Sequence, residues 1–217
     1  MKHKIFFSLL ALTIVWSAAK QLTYHPTCEG IDVSHHNQIT ANNYIHKSYS
    51  AIDSVSFIIA KATQGASFKD KKFTEHKQFA KDRNIKFGAY HFLTREESPK
   101  EQFEFYKRVV NRDIDIIPCL DVEKYGDQNW TYSQVREYVN EWSNLCKEYY
   151  GEFPIIYCTD VYRIRFFYDL PNQFWINNWY IKPLIKCAIH QYSNNEETLD
   201  YNHLNTDINN ILLRKTD

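Results

Sequence analysis

Ile114-Asp115-Ile116-Ile117-Pro118-Cys119-Leu120-Asp121-Val122-Glu123 is almost wholly apolar until it ends in two carboxylates, and the architecture can be read outward from it. A strand with one solvated face alternates apolar and polar residues, whereas a strand buried on both faces reads as a continuous apolar run. Comparable short runs rich in Ile, Val, Phe and Tyr occur at residues 30–34, 55–63, 85–92, 153–158, 174–179 and 187–192. With 114–122 they predict a set of strands covered on both sides. Helical patterns fill several of the gaps. Ser98-Pro99-Lys100-Glu101 supplies an N-cap, a proline at the first helical position and a glutamate able to close a capping box. From Thr131, the residues Val135, Tyr138, Val139, Trp142, Leu145 and Tyr149 recur at spacings of three and four, and Gly151 follows as a stop.

Strand–helix repeats imply parallel strands joined by right-handed crossovers, in an open doubly wound sheet or in a closed barrel. No GxGxxG or P-loop follows the first run, which removes the usual nucleotide-binding reason for an open sheet. After Trp179 the spacing leaves no room for helices. The expected fold is therefore a single α/β unit: an irregular, TIM-like β/α barrel whose last strands lack crossover helices.

The chain has 217 residues, 44% of them hydrophobic, with 26 basic and 26 acidic side chains. That composition excludes disorder and a multispanning membrane protein, and the balanced charge argues against nucleic acid as a partner. Lys2, His3 and Lys4 precede an apolar run from Ile5 to Trp16 and the small residues Ser17, Ala18 and Ala19. This is the pattern of a secretory signal peptide over 1–19, with an uncleaved anchor as the alternative. The expected mature barrel is then 20–217, exported (secreted or periplasmic), monomeric, and without a membrane span once the signal is removed. The five cysteines are odd in number and lack metal-ligand spacing, so a zinc site is not expected. One disulfide between Cys28 and Cys187 is conceivable if the first and last strands are neighbours; buried free thiols are the plainer reading.

Side chains alternate along a strand, so Asp121 and Glu123 project the same way. Asp32 ends the first run in the matching place. The C-terminal strand ends of a parallel barrel form the mouth where catalytic residues gather. Neighbouring buried carboxyls raise one another's proton affinity, the device by which a glycosidase keeps one acid protonated. Ordinary surface acids at a strand end are the alternative.

Seven motifs, in order, resemble glycoside hydrolase family 25, the lysozymes of the Chalaropsis type. They are Gly30-Ile31-Asp32-Val33-Ser34-His35-His36-Asn37, Ala60-Lys61-Ala62-Thr63-Gln64-Gly65, Gly88-Ala89-Tyr90-His91-Phe92, Leu120-Asp121-Val122-Glu123, Ile155-Ile156-Tyr157, Gln191-Tyr192-Ser193 and Asp200-Tyr201-Asn202. The resemblance implies a β/α barrel with helices only in the earlier crossovers. It also implies hydrolysis of the β-1,4 bond between N-acetylmuramic acid and N-acetylglucosamine in peptidoglycan, without metal or cofactor. By similarity Glu123 is the general acid, Asp121 stabilises the reacting centre, and Asp32 and Asp200 complete the acidic cluster. Tyr90, Tyr157 and Trp175 are the candidate sugar-stacking aromatics, with Gln191 as a polar contact. His91 is expected to be structural, while His35 and His36 either reach the mouth or only shape a turn. The chain departs from the family pattern at Gln64, where glutamate is frequent, in Phe174-Trp175-Ile176-Asn177-Asn178-Trp179, and at His190. The change at Gln64 is not expected to touch the chemistry, and the departures bear on substrate preference more than on activity. A non-catalytic wall-binding protein and a chitinase-like hydrolase are the rival expectations; the latter class carries a further Asp where this chain has Cys119.

Overall fold

Nine strands and four helices, in a computed structural model that describes residues 29–39, 55–123, 130–193 and 199–214, turn the apolar runs into a closed barrel. In chain order they are β1 (Gly30–Val33), β2 (Phe57–Gln64), β3 (Phe68–Lys69), α1 (Phe73–Asp82), β4 (Lys86–Phe92), α2 (Pro99–Val110), β5 (Cys119–Asp121), α3 (Tyr132–Tyr150), β6 (Ile155–Thr159), α4 (Asp160–Phe166), β7 (Phe174–Asn177), β8 (Ile189–Ser193) and β9 (Asp200–Leu204). Parallel pairing runs from β1 through β2, β4, β5, β6 and β7 to β8. The antiparallel β9 bonds to both β8 and β1 and closes an eight-stranded ring, and β3 hangs from β2 as a short hairpin. No helix lies between β7 and β8, as the spacing after Trp179 required.

Two apolar layers hold the barrel. Inside it, Phe57, Ile59, Ile155, Trp175 and Ile189 pack with Ile116, Ile117 and Ile211. Outside it, Ile31, Ile58, Leu120 and Ile156 meet Phe103 and Tyr106 of α2 and Trp142 of α3. The helices begin and end as their sequences dictate. Ser98 accepts from the Glu101 N–H while the Glu101 carboxylate accepts from the Ser98 N–H, and Thr131 and Gln134 repeat this exchange at α3. Gly151 ends α3 at φ 85°, in the left-handed region that favours glycine. At the barrel floor, a Cβ on Gly30 would lie 2.2 Å from the Phe57 ring, so the glycine is what lets that ring enter.

Three expectations change. The run at 114–122 yields only the three residues of β5: Pro118 has no N–H for a ladder, the Asp115 and Ile116 N–H groups both donate to the Phe87 carbonyl, and the Ile117 N–H donates to the Ile211 carbonyl of the C-terminal segment, where Ile116 bridges Leu212. Asp200–Leu204, too polar to read as a buried strand, is β9. Because β9 lies between β8 and β1, Cys187 is not next to the first strand. It is a buried free thiol, as are Cys119, Cys146 and Cys158, and Asn205 donates to its sulfur. The pairing with Cys28 is thus not made; Cys28 itself, like the expected signal segment 1–19, lies outside the described residues. Among the described residues no helix is long and apolar enough to cross a membrane.

Candidate active site

Sheet register brings the chemistry to one level. Asp32 pairs with Asp200, Phe92 with Asp121, Asp121 with Tyr157, Tyr157 with Trp175, and Gln191 with both Asn177 and Asn202. At this end of the barrel a cavity of about 300 Å³ is lined by Asp32, Tyr90, Asp121, Glu123, Tyr157, Trp175, Asn177, Trp179, Gln191 and Asp200. All eight residues singled out in the sequence reach it. A larger cleft, about 590 Å³, lies at the opposite end around Arg163, Gln173 and Asn210, away from the acids.

Uncharged donors hold Asp32. Its Oδ2 accepts from Gln191 Nε2 at 2.8 Å and from Asn202 Nδ2 at 2.7 Å. Trp175 Nε1 donates to Asn202 Oδ1 at 2.7 Å, and Gln191 Oε1 accepts from the Tyr157 hydroxyl at 2.8 Å and Trp179 Nε1 at 3.2 Å. Asn177 Nδ2 donates to the Tyr157 oxygen at 2.9 Å. Asp121 is treated differently: its Oδ1 is buried with no hydrogen-bond partner. Such an atom is an acceptor left for a ligand's donor, since an unpaired buried oxygen is otherwise costly.

A model of glycosyl hydrolases family 25 matches residues 31–201, a span that contains all four acids. The chain belongs to glycosyl hydrolase family 25. Solved structures of similar fold include a family 25 glycosyl hydrolase from Bacillus anthracis, with 22% identity, TM-score 0.72, and 85% of this chain and 93% of that one covered. A bacterial lysozyme from Streptomyces coelicolor gives 22%, 0.71, 84% and 94%, and a muramidase from Trichobolus zukalii 19%, 0.71, 83% and 95%. No curated protein matches.

This glycosyl hydrolase confines its acids in a poorly solvated space. Burial pushes the Asp32 carboxyl well above the usual carboxylate range, and Asp200 adds to the push; the two amide donors oppose it. Asp121 is raised by burial and then by Glu123, while Lys61 pulls it down. Glu123 is likewise raised by burial and by Asp200 and lowered by Lys61. Protons are therefore retained in the cluster at pH values where isolated acids would have lost them.

The aromatics divide by position. Trp175 is only 2% exposed, its ring edge-on to Tyr157 at 4.7 Å and its N–H spent on Asn202, so it forms the cavity wall. Tyr90 is half-buried. Trp179, 44% exposed, offers the open indole face at the rim. His91 is fully buried away from the cavity. The Gln102 amide donates to two carbonyls, which leaves its oxygen to accept from His91 Nε2, and Thr63 meets Nδ1 at 2.8 Å. Burial lowers the His91 pKa to about 4, so the ring is neutral and structural. His35 turns to Asp70, with Nδ1 2.7 Å from Oδ2, and lies tilted against His36, ring centroids 3.9 Å apart; neither lines the cavity. Among the described residues no cluster of His, Cys, Asp and Glu could hold a metal ion.

Sequence reasoning passed over Lys61 as a functional residue. Its signal was present: a single charge inside the apolar run Ile58-Ile59-Ala60-Lys61-Ala62.

Proposed function

We propose that this family 25 enzyme is an exported muramidase that cleaves the β-1,4 bond between N-acetylmuramic acid and N-acetylglucosamine in peptidoglycan. The observation that carries the reading is the unpaired Asp121 Oδ1 in a cavity shared with Glu123, whose proton affinity is raised. The Streptomyces coelicolor lysozyme and the Trichobolus zukalii muramidase, which share the fold, point to the same substrate class. Export rests on the basic, apolar and small-residue pattern at 1–19.

In this reading Glu123 donates its proton to the glycosidic oxygen as the C1–O bond breaks. The substrate's own 2-acetamido oxygen forms the new bond to C1, and Asp121 Oδ1 accepts the acetamido N–H and fixes its orientation. Water then attacks C1, releases the acetamido oxygen and returns a proton to Glu123. Asp200, and Asp32 held by its two amide donors, face the positive charge that develops at C1. Tyr90 and Trp179 are placed to meet sugar faces, with Tyr157, Trp175 and Gln191 shaping the wall behind them.

The test is digestion of purified peptidoglycan, borohydride reduction and mass spectrometry. Reduced N-acetylmuramic acid at the product ends is expected. Glu123→Gln should lower the rate by about 10²–10⁴-fold with thermal melting retained. Intact glycan from folded wild-type protein would overturn the assignment, and near-normal turnover by the variant would remove Glu123 from its role.

A further inference from the structure

Lys61 is a cation in a place built for carboxylates. It sits in the middle of β2, nine-tenths buried, with its backbone beside that of the cavity residue Tyr90. Its ammonium lies 4.6 Å over the Phe92 ring, and Phe92 is in turn the ladder neighbour of Asp121. Phe68 flanks it at 5.8 Å. The hydrogen bond that holds the ammonium is neutral: Lys61 Nζ donates to Gln64 Oε1 at 2.7 Å. An amide oxygen can orient an ammonium without cancelling its charge, whereas a carboxylate in that place would do both.

The charged groups around it are disposed to respond. Burial lowers the proton affinity of Lys61, while Asp121 and Glu123 at the end of β5 and Asp70 in the segment after β3 raise it; Lys61 in turn lowers that of the neutral His91 on β4. Asp32 on β1 and Asp200 on β9 act on the same carboxyls from the far side. Among the described residues Lys61 is the cation that acts on both Asp121 and Glu123.

We propose that Lys61, tethered by the uncharged amide of Gln64, is a positioning residue whose positive charge sets the pH range over which Asp121 and Glu123 share the proton needed for catalysis. Lys61 does not line the cavity and acts only through those acids. Without its charge, both carboxyls hold their protons to higher pH. The inference rests on the roles proposed above for Asp121 and Glu123.

The experiment compares pH–rate profiles for peptidoglycan hydrolysis by wild type, Lys61→Met, Lys61→Arg and Gln64→Glu. Carboxyl titrations by NMR on 13C-labelled protein accompany them. Lys61→Met should move both limbs of the profile to higher pH by about one unit, and Lys61→Arg should leave them in place. Gln64→Glu, which neutralises the ammonium without removing it, should shift them in the same direction as Lys61→Met; it also serves if Lys61→Met does not fold. Limbs that coincide with wild type in Gln64→Glu and in a folded Lys61→Met, even with reduced rates, would reduce Lys61 to a packing role. If wild type cleaves nothing, the muramidase reading fails, and the carboxyl titrations still decide whether Lys61 governs the pair.

Discussion

At Asp121, function and stability pull in opposite directions. The residue is buried, its Oδ1 has no partner, and Glu123 lies close enough to repel it. Because its folded-state proton affinity is raised, the folded protein holds more protons than the unfolded chain between the ordinary aspartate value and the higher folded one. Stability from this group is therefore greatest at low pH and declines as pH rises through that window. Asp121→Asn should consequently raise the melting temperature at pH 7 by about 2–4 °C, with the gain vanishing toward pH 4, while hydrolysis falls. Melting curves at the two pH values check it. A loss of stability of equal size at both would show that the carboxylate is a structural requirement. Asp32 is a poorer choice for this test, because its Oδ2 is already held by two amide N–H groups.

At the scale of the elements, the first strand's glycine and the second strand's phenylalanine form one unit. Gly30 pairs with Phe57 across the ladder, and the ring occupies the space where any larger residue's Cβ would stand. Gly30→Ala should cost about 1–3 kcal/mol through overpacking, measured by urea denaturation, and Phe57→Leu in the same chain should recover part of the loss. An alanine variant as stable as wild type would mean that the barrel floor has slack. Such pairing across neighbouring strands was invisible in the linear order, since 26 residues separate the two. The helix boundaries were visible because caps are local: Ser98 with Glu101, Thr131 with Gln134, and Gly151 each act within a single turn.

For the whole molecule, the last described residues complete the packing inside the barrel. Ile211 is fully buried inside the barrel, its carbonyl accepts from the Ile117 N–H, and the Leu213 N–H donates to Asp115. These contacts pair residues 115–117 on the side where β5 has been interrupted before Pro118. Removing residues 206–217 should destabilise the protein by about 3–5 kcal/mol, the scale of losing a well-packed buried isoleucine with its neighbours. Thermal melting of the truncated chain measures this. A melting temperature within about 1 °C of wild type would show that the tail merely covers a barrel already complete.

Continuous apolar runs identified the parallel strands because burial on both faces leaves no polar position in them. The same property exposed Asp32, Asp121 and Glu123, which stand out as charges at the ends of such runs. Residue order and cap chemistry thus sufficed for most strands of the barrel, for α2 and α3, and for three of the four acids, whereas α1 and α4 were not read and Asp200 came from the family resemblance. Three features waited for the tertiary structure. β9 carries Asp200, Asn202 and His203, and its place between β8 and β1 is set by backbone hydrogen bonds that leave no apolar trace in sequence. Trp175 and Trp179 are both tryptophans near a strand end, yet one became wall and the other rim, because exposure depends on what neighbouring strands place in front of a ring. Lys61 acquired its significance from Gln64, Phe92 and Asp121, residues that meet it only after the sheet has closed.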